Sequence, residues 1–328
     1  MVNTVDIRSK KWAFIVNPVA GAGYAASYEP EVRRKAAENG LDAEFFRTEG
    51  PGHARKLAAD LVSRGSEVIA IVGGDGTMSE AAQGMAGSDA ILVPISAGTG
   101  NDFVTITGFS EHFSEMDWEA LMRGEIARMD LGVCNGRRFI NGMGFGFDAA
   151  VAAANYSEDG AVKQGGKNKY FMHILVNLLF YHEGLIRYLP DGRIEGKNGR
   201  SRDFSDYAFL NTIALGRRMA GGFHLTPDAL ADDGLLDFCR IERLSVPERL
   251  RYMAAVMKKK HMGLPKTHMS RLENLTVEFE REAPYHVDGE LFYAVHLDIG
   301  IEKGALRIAI DPSRTDAFDS GSRKRPTQ

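Results

Sequence analysis

Cysteine is scarce in this sequence: only Cys134 and Cys239 occur in 328 residues, far apart. That excludes a disulfide framework and a cysteine-built zinc site, and it fits a reducing compartment. An excess of one charge is also missing. Lys plus Arg number 40 against 44 Asp plus Glu, a net charge of −4, so a general nucleic-acid binder is not expected. No Gly-x-x-x-x-Gly-Lys-Ser/Thr loop and no Gly-x-Ser-x-Gly elbow occur, which removes the Walker-type NTPases and the serine hydrolases. The 9 histidines have no metal-ligand spacing. No apolar run reaches the ~20 residues that span a bilayer. The longest, 170–181, reads first as a buried helix and second as a helix bordering a lipid-chain pocket. The first eleven residues are polar, with Asp6, Arg8, Lys10 and Lys11 and no apolar core behind them. A secretory leader is not expected there, and a cytoplasmic protein is.

What is present is an ordinary globular composition, 44% hydrophobic and 26% charged, long enough for two domains. Over residues 1–130 strand and helix signals alternate. Strands are expected at 12–16, 43–46, 68–72 and 90–94, and helices at 24–38, 52–64 and 78–85. This alternation implies a doubly wound parallel α/β sheet, in which ligands bind at the carboxyl ends of the strands. The pattern changes near Asp130. Asn135-Gly136 marks a tight hairpin within 133–140. Strand signals follow at 185–189, 206–215, 235–241, 275–279, 291–299 and 306–310, interrupted by helices at about 166–182 and 246–260. Residues 131–310 therefore read as a mostly antiparallel second domain. The polar stretch 313–328 reads as a frayed tail.

Three glycine-rich loops follow strands of the first half: Asn17-Pro18-Val19-Ala20-Gly21, Gly73-Gly74-Asp75-Gly76-Thr77, and Gly98-Thr99-Gly100-Asn101-Asp102. Glycines after a strand let backbone amides approach a phosphate, and the next helix offers its N-terminus to the same anion. A carboxylate such as Asp75 inside such a loop makes sense if Mg²⁺ lies between it and the phosphates, or if it accepts a proton or orders water. Each piece has a plainer reading. Asp75 could be a helix cap, Thr99 or Asn101 could cap the next helix, and Asp288-Gly289-Glu290 could be a simple hairpin turn.

The order of these loops, together with Asp130-Leu131-Gly132, Asp233-Gly234-Leu235-Leu236-Asp237 and Asp288-Gly289-Glu290, resembles the diacylglycerol kinase and sphingosine kinase family, small soluble bacterial lipid kinases included. The likeness runs over roughly 12–310. It implies a phosphofructokinase/NAD-kinase-like nucleotide domain at 1–130, joined by 311–328 returning to it, and a β-sandwich lipid domain at 131–310. It implies that Asn17, Pro18, Gly21, Thr48, Gly73, Gly74, Asp75, Gly76, Thr77, Glu80, Gly98 and Thr99 surround ATP. It further implies that Asp75, Asp102 and Asp130 form a network holding Mg²⁺, and that Asp288 or Glu290 takes the proton from the lipid hydroxyl. A second, structural Mg²⁺ is implied at Asp233 and the carbonyls of Leu230 and Leu235. One departure stands out: the arginine usual in this family three residues after Asp102 is Thr105 here.

The expected activity is transfer of the ATP γ-phosphate to a lipid alcohol, most simply diacylglycerol, by a protein that touches membranes only peripherally. Two alternatives remain open. One is a related kinase acting on NAD or a sugar; the other is a silent lipid- or nucleotide-binding regulator. Oligomeric state is unread, with a homodimer as one option.

Overall fold

The computed structural model describes residues 2–155, 176–195, 203–219 and 221–318. A short β1 (Asn3–Thr4) precedes four parallel strands: β2 (Lys11–Val16), β3 (Asp42–Arg47), β4 (Val68–Gly73) and β5 (Ile91–Ser96). Their spatial order is β5-β4-β2-β3. β4 and β5 are buried along their whole length, which their unbroken apolar runs require of strands covered on both faces. Alternate residues serve opposite faces. Phe14, Val16, Ala70 and Val72 pack with α1 (Tyr24–Glu38) and α5 (Glu115–Leu121). Ala13, Ile15, Ile69 and Ile71 pack with α2 (His53–Ser63) and α3 (Asp75–Met85). The single-turn α4 (Val104–Thr107) follows the third glycine loop. α3 starts at Asp75, three residues before the helix expected from the apolar pattern. Its first turn is glycine, threonine and carboxylate, which hydropathy does not register as helix.

The second lobe is antiparallel. It comprises β6 (Glu125–Cys134), β7 (Arg137–Phe139), β8 (Gly142–Gly146), β9 (Leu185–Glu195), β10 (Phe204–Ala214), β11 (Leu236–Glu242), β12 (Thr267–Val287) and β13 (Glu290–Ala309). Two helices, α6 (Phe147–Asn155) and α7 (Val246–Met257), lie against it. The β6–β7 hairpin turns at Asn135-Gly136, both with positive φ. The signals at 275–279, 291–299 and 306–310 are pieces of β12 and β13, which run 21 and 20 residues. Most of the helix expected at 166–182 lies outside the described residues. Residues 176–180 are helical, with Leu178 buried.

β13 belongs to both lobes. Its first half pairs with β12, its second half, from Ile299, with β6, and Arg307 and Ile308 pair in parallel with Ile91 and Leu92 of β5. The chain beyond it is anchored, against the expectation of a frayed tail. Arg314 bonds Asp117 and Asp311 at 2.6 Å each, and Ala317 and Phe318 are buried. Residues 319–328 lie outside the described set. One apolar cluster continues from Met78 and Ala81 of α3 to Met143, Phe145 and Tyr285 of the second lobe.

Candidate active site

The loops after β2, β4 and β5 touch through their backbones. A methyl group on Gly98 would sit 2.4 Å from Gly74 Cα, and one on Gly21 would sit 2.4 Å from the Ala97 carbonyl oxygen. These positions are glycine at least because the loops abut one another. The Asn17 amide donates to the Thr77 hydroxyl at 2.9 Å, closing the first loop onto the start of α3. Gly74 caps α3 without a side-chain bond, and the first intrahelical bond runs from Met78 N–H to Gly74 O. The amides ahead of it are unused by the helix and can meet an anion. Glu80 accepts N–H bonds from Gly52 and Ala54, at 2.7 and 3.1 Å, so it anchors the start of α2. Thr48 is buried, its N–H on Val16 O. Pro18 is half-buried, Gly76 is exposed in the first turn of α3, and Thr99 is exposed in the third glycine loop. Asn101 spends its side chain on Gly98 and Glu111 O, shaping its own loop.

Three carboxylates meet where the lobes join. Asp75 accepts N–H bonds from Asp102 and Phe103 at 3.1 and 3.0 Å. Asp102 accepts the Gly221 N–H at 2.6 Å and pairs with Arg218 at 2.7 Å. Arg218, which comes from the other lobe, is thus the cation beside Asp102. Burial pushes the carboxyls of Asp75 and Asp102 above their ordinary range, and their mutual repulsion raises Asp102 further. Asp288 sits in the β12–β13 turn with Gly289, both at positive φ. Its Oδ1 accepts from Asn141 and Gly142, and its Oδ2 from Ile140 and from the Ser79 hydroxyl of α3 at 2.7 Å. Burial raises this carboxyl too, against the pull of those donors. The hairpin-turn reading of Asp288-Gly289-Glu290 describes the backbone here, with a buried carboxylate at its first residue.

A cavity of about 370 Å³ opens at this junction. Asp75, Asp102, Asp148, His286 and Asp288 line its polar end, and Phe147, Val151, Phe209, Leu225, Tyr252 and Val256 its apolar interior. A pocket apolar in depth and acidic at one end suits a long-chain molecule with a reacting polar head. Of this polar set, Asp148 escaped the sequence reading, and His286 carried no role in it. His286 and Asp288 are two apart near the end of one strand, so period-two reasoning around Asp-Gly-Glu could have reached His286.

Other expected residues lie elsewhere. Asp130 accepts Gly234 and Gly304 N–H bonds at 2.7 Å each, beside Asp233. Its hydrogen bonds run to the 229–235 loop and to Gly304 of β13, not to Asp75 or Asp102. Burial raises its carboxyl as well. Asp233 accepts the Leu235 N–H and faces Arg271 at 3.6 Å, while the Lys303 stem packs on Gly234. Leu230 and Leu235 are buried beside it. Glu290 is exposed, with Arg137 at 3.5 Å, and does not line the cavity. Among the described residues no group of three or more His, Cys, Asp or Glu is arranged to hold a metal alone.

A family model described as the diacylglycerol kinase catalytic domain matches residues 11–134, and one described as the YegS C-terminal NAD kinase beta sandwich-like domain matches 141–310. These matches coincide with the α/β lobe and the mixed β-sheet lobe. A Staphylococcus saprophyticus protein named "Diacylglycerol kinase" is 28% identical, over 86% of this chain and 89% of its own. A Pseudomonas fluorescens protein named "Probable lipid kinase YegS-like" is 30% identical, over 85% of this chain and 88% of its own. A solved Bacillus anthracis structure, titled as that of a diacylglycerol kinase, shares the fold. Its TM-score is 0.71 at 20% identity, covering 93% of this chain and 98% of that one.

Proposed function

Since the chain belongs to the diacylglycerol kinase and YegS-like lipid kinase family and is an ATP-dependent lipid kinase, we propose that it phosphorylates diacylglycerol or a closely related lipid alcohol held in the cavity between its lobes. One observation carries this reading: a single cavity joins Asp75, Asp102 and Asp288 to an apolar interior. The first lobe acts as a doubly wound nucleotide domain of the phosphofructokinase and NAD-kinase type. Its α3 N-terminus and the loops of Asn17, Pro18, Gly21, Gly73, Gly74, Gly76, Thr77, Gly98 and Thr99 receive the triphosphate; Thr48 and Glu80 support them from behind. A soluble acceptor such as NAD would leave the apolar interior unused.

Mg²⁺ would arrive with the nucleotide, and Asp75 and Asp102 fit it. Asp102 is buried with the Asp75 carboxylate beside it, and the Asp75 oxygens take N–H groups from Asn101, Asp102 and Phe103, which leaves one of their four accepting positions. Bound there, the ion would neutralise charge on the phosphates. Asp130 takes no part in this assignment, because its oxygens serve Gly234 and Gly304. Asp288, its lone pairs filled, acts as a positioning residue that ties its turn to α3 through Ser79. Transfer then depends on alignment of hydroxyl and γ-phosphate, which the abutting loops fix.

Membrane contact would fall on α7. Tyr252 and Val256 enter the cavity while Leu250 and Met257 are exposed, with Lys258, Lys259 and Lys260 exposed just beyond. That combination suits a surface of anionic lipid. No helix among the described residues is long and apolar enough to cross a membrane. The test is incubation with γ-labelled ATP and a total lipid extract, with NAD⁺ as a parallel acceptor. A labelled lipid and unlabelled NAD⁺ are expected. Asp75→Ala should fold and lose nearly all turnover; retention of more than about a tenth of the wild-type rate removes Asp75 from the mechanism.

A further inference from the structure

We propose that Arg218 holds the terminal phosphate of ATP beside the lipid cavity; this rests on the ATP-dependent kinase reading above. The need for such a residue shows in the sequence. Segments 17–24, 73–80 and 97–103, which make up the three glycine loops, contain no lysine and no arginine. The first lobe thus meets a triphosphate with backbone amides and a helix N-terminus. A triphosphate carries more negative charge than one Mg²⁺ cancels, and on the transferred group that charge is spread over three oxygens. A guanidinium fork suits such oxygens. Arg218 is a cation that the fold brings to this junction from the second lobe. Its Nε lies 2.7 Å from Asp102 Oδ1, and its Nη1 donates to Glu111 in the loop after α4.

The contact with Asp102 is one of charge and not of a directed bond. Nε and Oδ1 are close, yet neither has a hydrogen-bond partner among the described residues, so the N–H is not aimed at the oxygen. Nη2 also has no hydrogen-bond partner among the described residues, and the side chain is 20% exposed. The backbone beneath it is fixed. Arg218 O accepts the Asn141 side-chain amide at 3.0 Å, and Gly216 O accepts the Thr226 hydroxyl at 2.6 Å. Only the side chain has to turn for the guanidinium to exchange one anion for another. Met219 and Gly221, which follow in sequence, line the lipid cavity together with Asp75 and Asp102. Arg218 therefore stands between the loops that receive the nucleotide and the cavity that receives the acceptor. The terminal phosphate is the one that has to meet both. Arg217 is not a substitute, because its guanidinium is spent on Ala229 O at 2.9 Å and on Asp316.

The test is calorimetric titration of the full chain with MgATP and with MgADP, in the absence of lipid. Wild type should bind MgATP about tenfold more tightly than MgADP, as one charge-assisted contact to the terminal phosphate requires. Arg218→Gln and Arg218→Met should erase that preference, weakening MgATP about tenfold and leaving MgADP within about twofold. Retained MgADP binding also reads folding apart from activity. Arg218→Lys keeps the charge without the fork and should lose less. Arg217→Gln, as control, should keep the wild-type preference. With diacylglycerol in detergent micelles, kcat of Arg218→Gln should fall about tenfold or more. An unchanged preference for MgATP in both the Gln and Met variants overturns the assignment. So does equal weakening of both nucleotides, which would make Arg218 a clamp on the third glycine loop. A wild type that labels no lipid while Arg218 still sets the preference for MgATP supports the contact and overturns only the lipid acceptor.

Discussion

At the scale of single residues, the Asp288 carboxylate is the joint between the lobes. It gathers three backbone N–H groups from the 140–142 segment and one hydroxyl from α3. Asp288→Asn keeps one accepting oxygen and turns an NH₂ group toward two donors. We expect a loss of about 2–6 kcal/mol in urea unfolding, from two unsatisfied donors at about 1–3 kcal/mol each. Ser79→Ala should cost about 1 kcal/mol. An Asn variant with an unchanged midpoint would show that the carboxylate does not hold this joint. The sign of the pH dependence is instructive. Asp75, Asp102 and Asp288 all have carboxyls raised by burial. Their favourable contribution is present below the unfolded carboxylate value near ~4 and is lost as pH rises through the folded values. At neutral pH the site is therefore held against the fold's interest. The loops around Asp75 and Asp102 were legible because glycine, threonine and aspartate cluster locally. Asp148 and the pairing of Arg218 with Asp102 were not, because α6, Arg218 and the third glycine loop meet only after folding.

At the scale of elements, α5 shows what holds the first lobe's outer layer. Ser114 and Asp117 form a reciprocal cap, and the same carboxylate takes Ser110 and Arg314. Burial alone would raise the Asp117 carboxyl, but these donors outweigh it and hold it low. A depressed folded value means stability that is present above about pH 4 and lost as pH falls through the folded value. Asp117→Asn should cost about 1–3 kcal/mol at neutral pH, and the gap from wild type should close on acidification. A gap constant from neutral to acid pH would remove the carboxylate's charge from the account. Elements were read well where one physical signal ruled. α1 spans the expected 24–38 because caps and apolar spacing agree. β4 and β5 were plain as unbroken apolar runs. β12 and β13 were read in fragments because Arg281, Glu282 and the shift of register between Glu278 and Ala283 interrupt their alternation. The polar end 313–318 looked free because its anchors, Asp117 and Asp311, do not show in a local window.

At the scale of the molecule, the two matched regions, 11–134 and 141–310, invite the idea of two separable domains. β13 argues against it. The strand leaves the Asp288 turn, pairs with β12 and β6, and closes the parallel sheet at Arg307 and Ile308. Leu306, Ile308 and Ile310 are buried in a core shared with α3 and β4. Burying a large aliphatic side chain contributes about 1.5–3 kcal/mol, so these three together rival the whole stability of a domain, about 5–15 kcal/mol. A fragment ending at residue 134 would also leave the β5 edge and most of β6 unpaired, which invites aggregation. We expect residues 1–134 alone to be insoluble or to lack a cooperative unfolding transition, and the full chain to unfold both lobes in one urea transition. A soluble 1–134 fragment that unfolds cooperatively and gains stability from ATP would show that the nucleotide lobe stands alone, and that the shared strand serves only to align it with the lipid cavity.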